Sequence, residues 1–195
     1  MTNRLYNMRY QDFFAAGNVE NFQHLITDIT YGDDFDIAFM RSIIPGNIIT
    51  FEKPNRRFDI QPTHIYYWIK PSLPKNTVNQ LADPVEWIYV WRGGWDERTN
   101  RGGCYNGPMK SGMQNGNYNT VRHDLVEGAQ LIPEQKPLSL ILWLMELHTN
   151  AGDNVLDICA GAGTTLKAGT QLGRKVYGCE KIRSTYEIAA KRNGL

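Results

Sequence analysis

The stretch from Asp153 to Glu180, "DNVLDICAGAGTTLKAGTQLGRKVYGCE", decides the fold. Its apolar run Val155-Leu156 reads as a strand that ends in Asp157. A loop of small residues follows, Ala160-Gly161-Ala162-Gly163, and Thr164-Thr165 open a helix that Thr164 is placed to cap. Glycines in such a loop let the backbone approach a ligand closely. The next strand, "KVYGCE", ends in Glu180, 23 positions after Asp157. An acid at the tip of the second strand of a βαβ unit is placed to bond vicinal ribose hydroxyls. The loop reads GAGTT and lacks the full GxGxxG, so it does not predict a pyrophosphate cradle; the GxxxxGK[ST] phosphate loop is absent too. A nucleoside carrying a positive centre suits acids at both strand tips and a loop without a basic residue.

Only one helical segment, "STYEIAAKR", follows Glu180, and two strands do not make a sheet. The missing parallel strands must come from residues 1–92. Four apolar segments there qualify: "NFQHLITDI", "PGNIITF" after the Pro45-Gly46 turn, "THIYYWIK" and "VEWIYVWR". The expected fold is therefore α/β, a doubly wound and mostly parallel sheet of Rossmann-like type. Ligands of such sheets bind along the carboxyl edge of the strands. Asp28, with Tyr31 three positions on, ends the strand "HLITDI" and should lie on that same edge.

The bulk properties suit one domain over 1–195: 42% of the residues are hydrophobic, 21% are charged, and the net charge is +1. It divides into a half at 1–92, a Gly/Asn-rich insert at 93–130 and a second half at 131–195. Seven of the 18 glycines fall between Gly93 and Gly116, so the insert should form loops with little core. Any nucleic-acid contact needs a local basic patch at so small a net charge. Arg92, Arg98, Arg101, Lys110 and Arg122 are candidate phosphate contacts, nearly balanced by Asp96, Glu97, Asp124 and Glu127; His123 has no assignable partner. Cys104, Cys159 and Cys179 are odd in number and far apart, and no His/Cys cluster has metal-ligand spacing. A reduced, cytoplasmic setting without a metal is expected. The run "LSLILWLMEL" is shorter than the roughly 20 residues that span a bilayer and reads as a buried helix over 138–149, so no membrane is expected. Trp68, Trp87 and Trp91 read as core.

With these residues placed, the chain resembles the β-group amino-methyltransferases of DNA, which methylate adenine N6 or cytosine N4 from S-adenosylmethionine. In that group the catalytic motif comes first, a target-recognition insert follows, and the cofactor loop comes last, a circularly permuted class I order. The family's D-P-P-Y motif looks like Asp28-Ile29-Thr30-Tyr31. Its D-P-F-x-G-x-G-T loop is similar to Asp157 through Thr164, with Ile158 and Cys159 in place of Pro and Phe. Its Q-K-P stands as Gln135-Lys136-Pro137, and its ribose-binding acid as Glu180. The resemblance implies a cofactor site of Asp157, Cys159, Ala160, Gly161, Gly163, Thr164, Thr165 and Glu180. Lys136 and Pro137 join it near the methionine carboxylate, and Asp12 from an N-terminal strand-helix turn.

The resemblance also implies the chemistry. An exocyclic amino nitrogen is a poor nucleophile because its lone pair is delocalised into the ring. Hydrogen bonds to the Asp28 carboxylate and the Ile29 carbonyl would pull it towards tetrahedral geometry, and the sulfonium methyl is then displaced directly. The target base must leave the stack, and Tyr31 offers a ring to receive it. Loss of both prolines keeps the carbonyl and gives up the fixed φ, so a slower or more tolerant site is expected. DNA is the implied partner, with adenine N6 favoured because the motif opens on Asp. A short insert predicts short or relaxed sequence specificity, and a bacterial or phage restriction-modification setting follows by analogy. Cytosine N4 methylation, a weak or inactive module of the same fold, a homodimer and a partner subunit stay open. A nicotinamide oxidoreductase is disfavoured by the incomplete glycine fingerprint.

Overall fold

The computed structural model describes residues 2–18, 21–29, 35–52, 57–70, 85–94, 120–122 and 130–195. Their elements run β1 (Arg4–Tyr6), α1 (Tyr10–Ala15), β2 (His24–Asp28), α2 (Ile37–Ile43), β3 (Ile48–Glu52), β4 (His64–Ile69) and β5 (Val85–Trp91). Then come β6 (Thr120–Arg122), α3 (Leu138–His148), β7 (Asn154–Asp157), α4 (Thr164–Leu172), β8 (Lys175–Cys179) and α5 (Arg183–Asn193). The strands form one sheet in the order β1-β8-β7-β2-β3-β5-β4-β6. Every neighbouring pair is parallel except the two made by β5, which runs antiparallel to both β3 and β4. The expected mostly parallel, doubly wound α/β fold is thus present, with one reversed strand.

The period-two pattern of the strands builds two cores. Ile26, Phe51, Ile88, Val90, Val155 and Val176 turn to one face, where Leu140, Ile141 and Leu144 of α3 and Leu166 and Ala168 of α4 cover them. Leu25, Ile48, Tyr89, Trp91, Leu156 and Tyr177 turn to the other, against Phe13 of α1 and Ile37 and Met40 of α2. A sheet buried on both faces reads as continuous apolar runs, which is why "WIYVW" lacks a polar alternate and Thr50 of "NIITF" is itself buried. Trp68 and Trp91 are buried and Trp87 packs against the second core.

Two elements escaped the sequence pattern. α2 has seven residues and β6 three, lengths at which periodicity carries little signal. β6 falls inside the 93–130 insert, where Val121 pairs with Trp68 and is buried in the first core, so this part of the insert does add to the core. Residues 95–119 and 123–129 of the insert lie outside the described residues, and with them Cys104, Asp96, Glu97, Arg98, Arg101, Lys110, His123, Asp124 and Glu127.

Buried polar groups lock the edge of the sheet opposite the site. Asn47 donates from Nδ2 to the His148 carbonyl at 2.7 Å, accepts from the Gly93 amide at 3.1 Å and donates its own amide to His24 Nδ1 at 3.0 Å. With Nδ1 accepting, the His24 proton sits on Nε2, which donates to Asp153 at 3.0 Å. His148 lies 3.1 Å from the Tyr66 hydroxyl, and burial first, then the nearby Arg92, pushes its pKa down to about 3. An unfolded histidine takes its proton near 6.5, so His148 stabilises the fold fully above that pH and progressively less below it. The slope is about 1.4 kcal/mol per pH unit for a fully neutral buried histidine. His24, lowered by its own burial, adds in the same sense. Between pH 6.5 and 5 the wild type should therefore lose thermal stability faster than His148→Gln, as calorimetry in matched buffers will read. Parallel slopes would exclude this origin.

Candidate active site

Three strand tips meet at one cavity of about 390 Å³. β2 contributes Thr27 and Asp28, β7 and its loop contribute Asp157 to Ala162, and β8 contributes Cys179 and Glu180. The wall is completed by Thr164 and Thr165 of α4, by Met8 to Gln11, and by Ile132 to Lys136 before α3. The volume falls within the range of small-molecule sites.

The glycine loop is not built for a phosphate. Gly161 and Gly163 take φ values of +51° and +72°, left-handed backbone that favours glycine. At Gly163 a Cβ would also sit 2.4 Å from Asn193 Nδ2 and 3.2 Å from Ala189 Cβ, so this glycine admits α5, and it does not line the cavity. The loop amides are spent within the protein. Cys159 donates to Asp157 Oδ1 at 3.1 Å, Ala160 to the Cys179 carbonyl at 2.8 Å, Gly161 to Glu180 Oε2 at 3.0 Å and Gly163 to the Ala160 carbonyl at 2.8 Å. A phosphate nest requires such amides to point at the ligand instead. Thr164 does not cap α4: Gly163 is the N-cap without a side-chain bond, and the Thr164 hydroxyl accepts from Arg192 at 3.0 Å. Arg192 also donates to the Ala162 carbonyl at 3.1 Å. A left-handed residue before the helix occupies the cap position, which leaves Thr164 inside the first turn.

The acids sit where the strand pattern predicted. Glu180 is buried and accepts from the Ile182 amide through Oε1 at 2.8 Å as well as from Gly161, so its orientation is fixed. Asp157 is buried at the end of β7; burial pushes its pKa up to about 6, against hydrogen bonds to Thr165 and the Cys159 amide that lower it. Burial likewise pushes the Cys179 thiol up to about 12, so it is an inert wall group. Of the other expected residues, Cys159, Ala160 and Thr165 line the cavity, while Asp12 and Pro137 do not. Asp12 lies in the first turn of α1, and its neighbours Arg9, Tyr10 and Gln11 take the wall position; Pro137 is the N-cap of α3.

Asp28 carries the less anticipated geometry. In the register of β2, β3 and β5, Asp28 pairs with Phe51 and Phe51 with Ile88, so Asp28 shares the face covered by α3. Glu86, two residues before Ile88, faces the same way. Lys136 reaches between them from the turn before α3, with Nζ 2.5 Å from Asp28 Oδ2 and 3.0 Å from Glu86 Oε1, over the Phe51 ring at 5.1 Å. Burial opposes the charge on Lys136, but Asp28 and Glu86 together raise its pKa. Burial first, with the Glu86 and Glu134 charges behind it, raises the Asp28 pKa to about 6 against the lowering pull of Lys136. Lys136 therefore lines the cavity with its ammonium directed to two carboxylates. Ile29 is buried in the second core; Thr30 and Tyr31 lie outside the described residues.

Glu86 is the site residue that motif reading missed. The signal was present: in "VEWIYVWR" it occupies the same strand face as Ile88 and Val90, a core face where an unpaired acid is costly. Only the partner, 50 positions downstream in sequence, was invisible. No group of three His, Cys, Asp or Glu residues among the described residues could hold a metal ion. No helix among them is long and apolar enough to cross a membrane.

A doubly wound sheet with one reversed strand, an acid-tipped glycine loop near the C-terminus and a third acid on the central strand define a class I methyltransferase fold. The sequence matches the N6/N4 DNA methylase family over residues 43–191, and the chain belongs to that family. The type II methyltransferase M.HindIII of Haemophilus influenzae is 46% identical over 61 residues, which make up 31% of this chain and 20% of that protein. The chain thus matches about a fifth of the length of that curated relative. Among solved structures, M1.HpyAVI in complex with SAM superposes with a TM-score of 0.71 at 20% identity, over 98% of this chain and 100% of that one. The cytosine-N4-specific PvuII DNA methyltransferase superposes with a TM-score of 0.68 at 13% identity, over 98% and 86%.

Proposed function

We propose that this chain transfers a methyl group from S-adenosylmethionine to an exocyclic amino group in DNA, with adenine N6 as the target. The observation that carries this is the opening of Asp28 into the same cavity as Asp157 and Glu180. Glu180 would hold the ribose hydroxyls, and the loop from Asp157 to Thr165 would hold the adenosine against the ends of β7 and β8. The cofactor, when bound, supplies a sulfonium methyl. The chain's own part is positional: the Asp28 carboxylate accepts a hydrogen bond from one amino N–H, the Ile29 carbonyl accepts one from the other, and Tyr31 stacks on the extruded base. Cytosine N4 is the second reading, favoured by the likeness to a cytosine-N4-specific enzyme. Incubating the purified chain with labelled S-adenosylmethionine and mixed-sequence DNA, then identifying methylated nucleosides by mass spectrometry, separates the two. Absence of any methylated base in a chain that binds the cofactor would leave only the binding-module reading.

Asp28 offers the amino group its negative charge and two acceptor oxygens only as a carboxylate, so its titration sets an acid limb. The transfer rate should rise with pH through about 6 and level off above it. Lys136 lowers the Asp28 pKa, so Lys136→Met should move that limb to higher pH. Single-turnover rates between pH 5 and 9 will read the shift; a limb that stays in place removes Lys136 from the control of Asp28.

A further inference from the structure

Lys136 lies between two carboxylates, with its side chain only 10% exposed. Asp28, Glu86 and Lys136 by themselves sum to one negative charge, with Lys70 as a further cation at the outer oxygen of Glu86. Only Asp28 Oδ2 is bonded to Lys136; Oδ1 has no hydrogen-bond partner among the described residues. On the far side, Glu86 Oε2 meets Lys70 of the β4 edge at 3.2 Å, where a side chain 31% exposed is screened by water. The Asp28 side chain is 33% exposed at the cavity and that of Glu86 is 5% exposed, so the site's negative charge is most accessible at Asp28.

We propose that Glu86 is a positioning residue for methyl transfer: by sharing the Lys136 ammonium with Asp28, it leaves Asp28 the negative charge that an incoming amino group needs. This rests on Asp28 being the amino-proton acceptor. Without Glu86, the ammonium has one carboxylate left within reach, that of Asp28, and closes upon it. Asp28 then becomes half of a neutral pair, and its oxygens are drawn from the target to Lys136. The charged groups facing Asp28 are Lys136 and Glu134 from the turn before α3, Glu86 from β5 and Asp157 from β7. Of these, Glu86 alone contacts the cation that holds Asp28.

The test is Glu86→Gln, which keeps the shape and removes the charge. The Asp28 carboxylate is followed by ¹³C NMR in the cofactor-free chain, with Asp28→Asn identifying its resonance. Its titration midpoint should fall, the single-turnover rate should drop about 10- to 100-fold, and cofactor affinity by calorimetry should hold. Glu86→Asp, which keeps the charge one methylene further back, should lie between Gln and wild type. Lys70→Met, which removes the outer partner of Glu86, should leave the rate near wild type. In Glu86→Gln/Lys136→Met the competing ammonium is gone, so part of the rate should return above the pH at which Asp28 ionises. A folded Glu86→Gln variant with the wild-type rate, or with an Asp28 midpoint unmoved or raised, overturns the proposal. If the wild type methylates no DNA, the activity assignment fails by itself, and the direction of the midpoint still decides whether Glu86 shares Lys136.

Discussion

Replacing Asp28 with asparagine should reduce methyl transfer by at least about 10³-fold, the scale of losing a positioned proton acceptor and its charge together, with cofactor binding retained. Asparagine fills the same volume at the end of β2, so the cavity keeps its wall. What changes is the hydrogen-bonding character. Lys136 stands 2.5 Å from one carboxylate oxygen and would claim the single amide oxygen that remains. The amide NH₂ is then turned towards the target amino group, and two donors face each other. Lys136 retains Glu86 as a counterion, so the fold should survive the change. Methyl incorporation into DNA and calorimetric titration with S-adenosylmethionine will read the two halves of the prediction. A variant with more than a few per cent of wild-type activity would show that Asp28 is not the acceptor.

Glu180→Ala should strike the cofactor instead. Both oxygens of Glu180 are bonded to backbone amides, those of Gly161 and Ile182, and the side chain is buried. Truncation leaves two amides without acceptors, each costing about 1–3 kcal/mol, and removes the acid proposed to hold the ribose. A hydrogen bond to a charged group is worth about 1.5–3 kcal/mol, so affinity for S-adenosylmethionine should weaken roughly 10- to 100-fold. Differential scanning calorimetry should show a lowered Tm in the same variant. Glu180→Gln, which keeps one acceptor oxygen, should fall between. Cofactor affinity unchanged in Glu180→Ala would place the adenosine elsewhere in the cavity.

The strands and the site edge were legible because they are local statements. "NVLDIC" and "KVYGCE" are apolar runs closed by acids, and the small-residue loop between them has few other uses. Two strands do not make a sheet, and β1, β2, β3 and β4 of the first half run in the same direction beside them. α2 and β6 were not legible, because seven and three residues give periodicity too little to act on. The helix cap was misjudged for a different reason. Thr164 is a good capping residue by type, but a left-handed Gly163 ends the loop one position earlier and turns the threonine to Arg192.

Fold class, the order of the halves and the three acids at the strand tips follow from local pattern in the chain. Each depends on the alternation of apolar residues, on loop chemistry and on chain order, all of which act over a few neighbouring residues. What those acids touch follows from the packing of distant segments. Asp28, Glu86 and Lys136 are separated by 58 and 50 positions in the chain, and they meet because β5 runs against β3 and the start of α3 lies over the same face. Burial and the charges brought together there set the Asp28 pKa, and neither is written in the residues beside it. The acid at the tip of β2 is a motif in the sequence, and the lysine shared between two carboxylates is a product of the fold.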